Sequence, residues 1–248
     1  MIDMNDPKFW PNLFDVVLEG TGETLYMVLI ATIITVIVGL PLGVLLVATE
    51  RNGFLSSIFG SRVLARVLNA VLSFIVNLGR SVPFVILMIA LIPVTRWLVG
   101  SFIGTGPAIV PLTLVAIPFF ARLVEIAVKE VEPGLFEASE SLGASRWQLV
   151  RRVILPEAMP AIVLGLATTF TSIVNFSAMV GVVGGGGLGN VALSYGWQRY
   201  SWMHVVVVIV VLFAIVQIAQ LIANFAARRL SRQDAGRTET VQKNLETA

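Results

Sequence analysis

The chain has 248 residues, 56% of them hydrophobic and 13% charged, with a mean hydropathy of +0.88 and a formal net charge of +2. Soluble domains carry about 25% charged residues, so this chain has too little polar surface to face water on all sides and must use lipid as its solvent. The small net charge leaves no electrostatic footprint for nucleic acid, and the lack of cysteine excludes disulfides, thiolate metal sites and cysteine nucleophiles.

In lipid the backbone must satisfy its own hydrogen bonds, which leaves helices or a closed barrel. The apolar runs here are long and unbroken, unlike the ten-residue alternation of barrel strands, so an all-α membrane protein is expected. Residues 1–24 carry Asp3, Asp6, Asp15, Glu19 and Glu23 against Lys8. They lack the basic start and short apolar core of a cleaved signal and read as an external segment. The first span runs from Leu25 to Ala48, long enough at about 1.5 Å per residue to cross a core of about 30 Å with tilt. Inside it Gly39 and Gly43 form a small-xxx-small pair that admits a neighbouring helix, and Pro41 is expected to kink it.

The stretch 63–100 is too long for one simple span and is broken by Asn77-Leu78-Gly79-Arg80-Ser81-Val82-Pro83. One crossing with an elbowed first part is expected. A third span covers 108–128 and contains Pro111 and Pro118, a fourth covers 161–183, and a fifth covers 204–227. Residues 25–227 thus form the transmembrane domain, and 228–248 form a polar, partly disordered tail. Five spans put the termini on opposite sides. With the amino terminus outside, 14 of the 17 basic residues fall inside, and only Lys8, Arg96 and Arg199 fall outside. The loop 129–157 and the tail are therefore cytoplasmic in this reading.

That loop has an organised pattern. Pro133 and Gly134 open a short helix over Leu135–Leu142, and Gly143 stands where a left-handed C′ residue is expected. Ser145 caps a second short helix that ends at Pro156, with Trp147, Val150 and Ile154 at helical spacing. The result is a helix–turn–helix lever with apolar and acidic groups at its tip. On the residues alone, docking a cytoplasmic partner and packing against its own bundle both fit.

The string from Glu137 to Pro156 resembles the coupling-loop motif of binding-protein-dependent ABC importer permeases: Glu-Ala-Ala, three residues, Gly, nine residues, an aliphatic residue, one residue, Leu-Pro. Glu137, Ala138, Gly143, Val153, Leu155 and Pro156 match, and Ser139 replaces the second alanine. Arg80-Ser81-Val82-Pro83-Phe84, Ile109-Val110-Pro111-Leu112-Thr113, Ser177-Ala178-Met179 and Gly186-Gly187-Leu188-Gly189 resemble blocks of the D- and L-methionine branch of that family. The resemblance implies a five-helix type I importer permease of a bacterial inner membrane with a cytoplasmic coupling helix. It also implies a homodimeric permease, an ATPase dimer that binds ATP and Mg, and an external binding protein that delivers the solute. It assigns ATPase coupling to Glu137, Ala138, Ser139, Leu142, Gly143, Leu155 and Pro156, with Gly143 as a turn that no side chain may enlarge.

Span four carries Thr168, Thr169, Thr171, Ser172, Asn175 and Ser177, and intramembrane polar groups face a bundle interior or a path. Asn175, Ser177 and Met179 are the candidates for the translocation path, although hydroxyls also bond their own helix. Met179 and Met88 read as packing residues in preference to ligands. Gln217, Gln220 and Asn224 share a face of span five and suit interhelical hydrogen bonding. Gly184–Gly189 satisfies a dinucleotide-binding spacing, but it follows a membrane helix and not a strand; a flexible or tightly turned external loop is expected. His204 reads as an interfacial anchor without a partner. No Walker A string, metal spacing or nucleophile–base pair is present, so this chain itself is read as non-catalytic and cofactor-free. Two rivals stay open: the same machine for a phosphonate or osmoprotectant, and an ion-coupled secondary transporter, which would show repeats and buried charges.

Overall fold

The computed structural model describes residues 7–50 and 62–246. Within these, the side chains of Arg62, Leu64, Ala65, Pro133, Glu137, Glu140, Arg146 and residues 232–246 fall outside the description. Asp3, Asp6 and Arg51 also lie outside the described residues. Ten α-helices follow one another: α1 Phe9–Ala48, α2 Arg62–Ser81, α3 Phe84–Ala90, α4 Ile92–Val99, α5 Thr105–Lys129, α6 Pro133–Ser141, α7 Arg146–Leu149, α8 Leu155–Val180, α9 Gly187–Val191 and α10 Trp202–Glu246. Among the described residues there is no strand.

Among the described residues, four helical segments, over 9–48, 105–129, 147–185 and 202–231, are long and apolar enough to cross a membrane. The helices α2 and α3 reach that length and apolarity only when taken together, as a broken span or a re-entrant loop with a bend of 110° at their junction. This is the expected elbow. Its cause is Pro83, which has no N–H to donate and pushes Val82 out of helical geometry. Pro83 itself sits at φ −55° and ψ 134° and opens α3. Ser81 turns its hydroxyl back to the Asn77 carbonyl at 2.7 Å, which closes the end of α2.

Two boundaries differ from expectation. Helix α1 begins at Phe9, not near Leu25. Phe9, Leu13 and Val17 recur one turn apart and are buried, so this acidic stretch is an amphipathic helix whose apolar stripe has a partner. Helix α10 runs on through the polar tail to Glu246 as continuous helical backbone. Pro41, Pro111 and Pro118 lie inside uninterrupted helices.

The chain divides into two compact units. The first comprises residues 1–38, 77–119 and 169–219. Its core joins Met27, Val28 and Ala31 of α1, Phe84 and Met88 of α3, Leu112 and Val115 of α5, and Ile173 and Val174 of α8. Phe84 stacks on Phe176 at 4.5 Å. A second apolar patch seats Phe9, Leu13 and Val17 on Leu188, Val191 and Val208. Met88 is a packing residue, as its position suggested.

The second unit comprises residues 39–76, 120–168 and 220–248. Here Leu46, Val76 and Ala121 form a small core with Leu42 and Leu72. The α1–α5 seam depends on Gly43. A Cβ there would lie 2.5 Å from the Ala121 carbonyl oxygen and 2.6 Å from the Val124 Cβ. Asn69 of α2 joins the seam by donating to the Leu46 carbonyl at 2.8 Å and to the Thr49 hydroxyl at 3.1 Å. The close approach at Gly43 predicts that Gly43→Val destabilises the protein by about 1–3 kcal/mol through overpacking. A lowered unfolding midpoint in detergent is the expected result, and an unchanged midpoint would show that the seam can open at no cost.

Candidate functional site

The hairpin between α5 and α8 is built almost entirely by local rules. Pro133 occupies the first position of α6, where its missing N–H is not needed. At the other end Leu142 donates to the Ala138 carbonyl at 3.1 Å, and Ala144 reaches back to the Ser139 carbonyl at 3.1 Å. That return requires a left-handed residue between them, and Gly143 supplies it at φ +72°. A Cβ at Gly143 would meet nothing within 4 Å among the described residues of this chain, so within the chain itself the sign of φ is the reason for glycine, as expected of a C′ position.

Ser145 and Gln148 then cap α7 reciprocally. Gln148 N–H donates to the Ser145 hydroxyl at 3.3 Å, and Ser145 N–H donates to the Gln148 side-chain oxygen at 2.9 Å. One correction concerns Pro156. It does not end the second short helix; α7 passes through a π-turn at Val150–Ile154 directly into α8. Leu155 N–H donates to the Val150 carbonyl, five residues back. This widened turn shifts the hydrogen-bond register just before Pro156, where a donor is missing anyway, so the proline is absorbed instead of breaking the helix. The short helix and the membrane helix are therefore one continuous rod, anchored by buried Leu149 and Ile154.

Of the residues expected to couple to an ATPase, the hairpin brings Ala138, Ser139, Leu142 and Gly143 together at one tip, with Leu155 and Pro156 in the shaft behind it. Leu142 is 88% exposed and Trp147 69% exposed. The Ser139 hydroxyl is turned inward to the Leu135 carbonyl at 2.7 Å. Glu137 lies on α6, and its side chain falls outside the description. The path candidates are not brought together. Asn175 and Met179 share an exposed face of α8 one turn apart, whereas Ser177 is buried and donates to the Val174 carbonyl at 2.7 Å.

The glycine-rich segment is a tight construction, not a flexible loop. The backbone leaves α8 through a π-turn at Gly181–Gly185, and Gly184, Gly186 and Gly187 all have positive φ. The Glu23 carboxylate accepts the Gly187 N–H at 2.5 Å, and the Thr24 hydroxyl accepts the Leu188 N–H at 2.9 Å. Two side chains of α1 thus satisfy the first free amides of α9, which has no capping side chain of its own. Sequence reasoning missed this role for Glu23 and Thr24, because the partners are 164 residues apart. His204 is likewise corrected. It is buried, shares a 2.7 Å hydrogen bond with Ser201 through Nδ1, and stacks on Tyr195 at 4.7 Å. Among the described residues no cluster of metal-ligating side chains occurs.

An uninterrupted helix carrying an exposed hairpin, in an apolar helical chain, is the architecture that comparison with known proteins matches to a class of transport permease. The family described as "Binding-protein-dependent transport system inner membrane component" matches residues 52–232. This chain belongs to that family and is a multi-pass membrane protein. It is 48% identical over 219 residues to the Vibrio cholerae protein named "Probable D-methionine transport system permease protein MetI", covering 88% of this chain and 94% of the relative. It is 42% identical over 178 residues to the D-methionine transport system permease protein of Escherichia coli K12, covering 72% and 76% of the two chains. A solved structure of the MetNI methionine ABC transporter, in an inward-facing conformation, superimposes with a TM-score of 0.82 at 39% identity, covering 92% of this chain and 99% of that one. The fold is that of a type I ABC importer permease.

The Glu23 contact predicts that Glu23→Ala frees the Gly187 amide and loosens the glycine turn. A charge-assisted hydrogen bond of this kind contributes about 1.5–3 kcal/mol. Faster amide exchange over 184–190 checks it, and exchange equal to that of the unsubstituted chain would remove the capping role.

Proposed function

We propose that this chain is the permease subunit of an ATP-driven methionine importer, pairing with a second copy of itself in a bacterial inner membrane. The observation that carries the reading is the α6 hairpin, whose exposed Leu142 tip is continuous in backbone with a membrane helix. The names of the relatives support methionine as the solute. An amphipathic helix seated in a groove is a standard docking mode, and the hairpin would seat in a cleft of a cytoplasmic ATPase that binds ATP and Mg. An external binding protein delivers the solute. The amino terminus is outside and the carboxyl terminus cytoplasmic, as the distribution of basic residues favours.

In this mechanism, ATP draws two ATPase subunits together and carries the seated hairpins with them. The α7–α8 rod transmits the displacement without bending at Pro156, and the membrane helices switch between inward-open and outward-open arrangements as rigid bodies. Hydrolysis and release reverse the motion. Ala138, Ser139, Leu142 and Gly143 set the shape of the docking tip, Glu137 acts in the same contact, and Leu155 and Pro156 belong to the shaft. Asn175 and Met179, exposed on α8, line the solute path, and Ser177 holds the backbone of α8 behind them.

The test is ATP hydrolysis and uptake by the chain reconstituted in lipid with its ATPase and binding protein. Hydrolysis stimulated by binding protein plus methionine, with methionine accumulation, is the expected result. A complex that hydrolyses ATP but ignores methionine would move the solute to another class, and uptake driven by an ion gradient without ATPase would overturn the reading. Within the same assay, Gly143→Val must force a left-handed β-branched residue at a cost of about 1–2 kcal/mol and lower uptake per ATP hydrolysed. Gly143→Asn, which tolerates that conformation, retains most of it. Equal loss in both variants would contradict the backbone explanation.

A further inference from the structure

The apolar α5 helix buries a charge that neither the docking tip nor the solute path uses. Glu125 has a side chain only 7% exposed, and its two carboxylate oxygens each accept from Arg122 Nη1 at 2.8 Å. Lys129 Nζ lies 3.0 Å from the same carboxylate and 2.9 Å from Glu50, just beyond the end of α1. The four groups form one alternating chain with no net charge. A buried ion pair is a poor source of stability, because desolvation offsets most of the attraction, so an apolar helix has little reason to keep one for stability alone. Its value is geometric. Packed apolar helices can slide past one another in small shears, whereas an ammonium held between two carboxylates fixes axial register.

The position of this chain of charges gives that register a use. Lys129 is the last residue of α5, and residues 130–132 alone separate it from α6. That connection has little slack: Glu130 N–H still donates to Ile126 and Val131 N–H to Val128, and Val131 is buried. On the other side, the last turns of α1 are already joined to α5 by Gly43 against Ala121 and Val124, and by Leu46 in the small core. Resting on the energy-coupling role proposed above, we infer that Glu50, Glu125 and Lys129 are positioning residues that make the ends of α1 and α5 one body, so that displacement of the hairpin is passed to α1. Arg122 holds the Glu125 carboxylate in place from the opposite side.

The experiment uses the full complex of permease, ATPase and binding protein in liposomes. Methionine uptake and ATP hydrolysis are measured together for the unsubstituted chain, Glu50→Gln, Lys129→Met and Lys129→Arg. Glu50 is half exposed, so Glu50→Gln is the variant least able to impair folding. Glu50→Gln and Lys129→Met are expected to keep hydrolysing ATP while uptake per ATP falls about five-fold or more, the usual lower size of an inter-site coupling. Lys129→Arg is expected to preserve the ratio. A second readout is independent of solute. The chain has no cysteine, so spin labels at Leu45→Cys and Glu130→Cys, in labelled copies diluted with unlabelled ones and with cysteine-free partner proteins, report the α1–α5 distance within one copy. That distance is expected to be narrow and equal with and without ATP, and to become broad or ATP-dependent in Lys129→Met. Unchanged uptake per ATP in both charge-removing variants, or an α1–α5 distance that already shifts with ATP in the unsubstituted chain, would overturn the inference. Failure of the unsubstituted chain to accumulate methionine would overturn the solute instead, and the label distances would still decide the role of the charge chain.

Discussion

A backbone amide in lipid has no water to turn to, and each unsatisfied one costs several kcal/mol. The irregular places in this protein follow from that constraint. Where Pro83 interrupts α2 and α3, Val82 N–H still donates to the Leu78 carbonyl and the Pro83 carbonyl accepts the first amides of the new helix. Where Pro156 would remove a donor from α8, a π-turn has already shifted the register. Where the glycine turn ends α8, Glu23 and Thr24 accept the amides that α9 exposes. A transport protein needs non-helical backbone at a few places, and at these its amides and carbonyls find partners within the chain.

The same constraint separates two kinds of glycine. Gly143 and Gly184 are needed for the sign of φ, and Gly186 and Gly187 for that sign and also for space, since a Cβ there would lie 2.8 Å from the Glu23 carboxylate and 2.7 Å from the Thr24 hydroxyl, respectively. Gly43 has ordinary helical geometry and is needed for the space that Ala121 and Val124 fill. The first kind shapes turns, and the second lets helices approach closely enough to move together. Gly143 belongs to the first kind, as its place just past α6 led one to expect.

Charge is used sparingly and in three ways. Most basic residues mark the membrane boundary, as topology requires. Glu23 supplies a capping oxygen to a distant backbone. Glu125, with Arg122, Lys129 and Glu50, supplies register between helix ends in the second unit. Such uses are invisible to a hydropathy profile, which sees only that α5 is apolar enough to span.

The continuity through Pro156 was not legible in the sequence, whereas the solvent, the helical class, the elbow at Pro83 and the turn and caps of the α6 hairpin were. Each of these depends on residues within a few positions of one another: a proline beside its breaking point, Ser145 three residues before Gln148, Gly143 just past Leu142. The family was legible for the same reason, since its motif lies within one loop. Three-dimensional packing was required to show that residues 9–24 are helix, because the stripe of Phe9, Leu13 and Val17 has meaning only once Leu188, Val191 and Val208 cover it. It also decided that His204 has a partner in Ser201, that Ser177 faces its own helix, and that the glycine turn is held by Glu23. These outcomes depend on contacts across turns of helix or across most of the chain, and hydrophobic periodicity contains no information about which distant side chain will arrive.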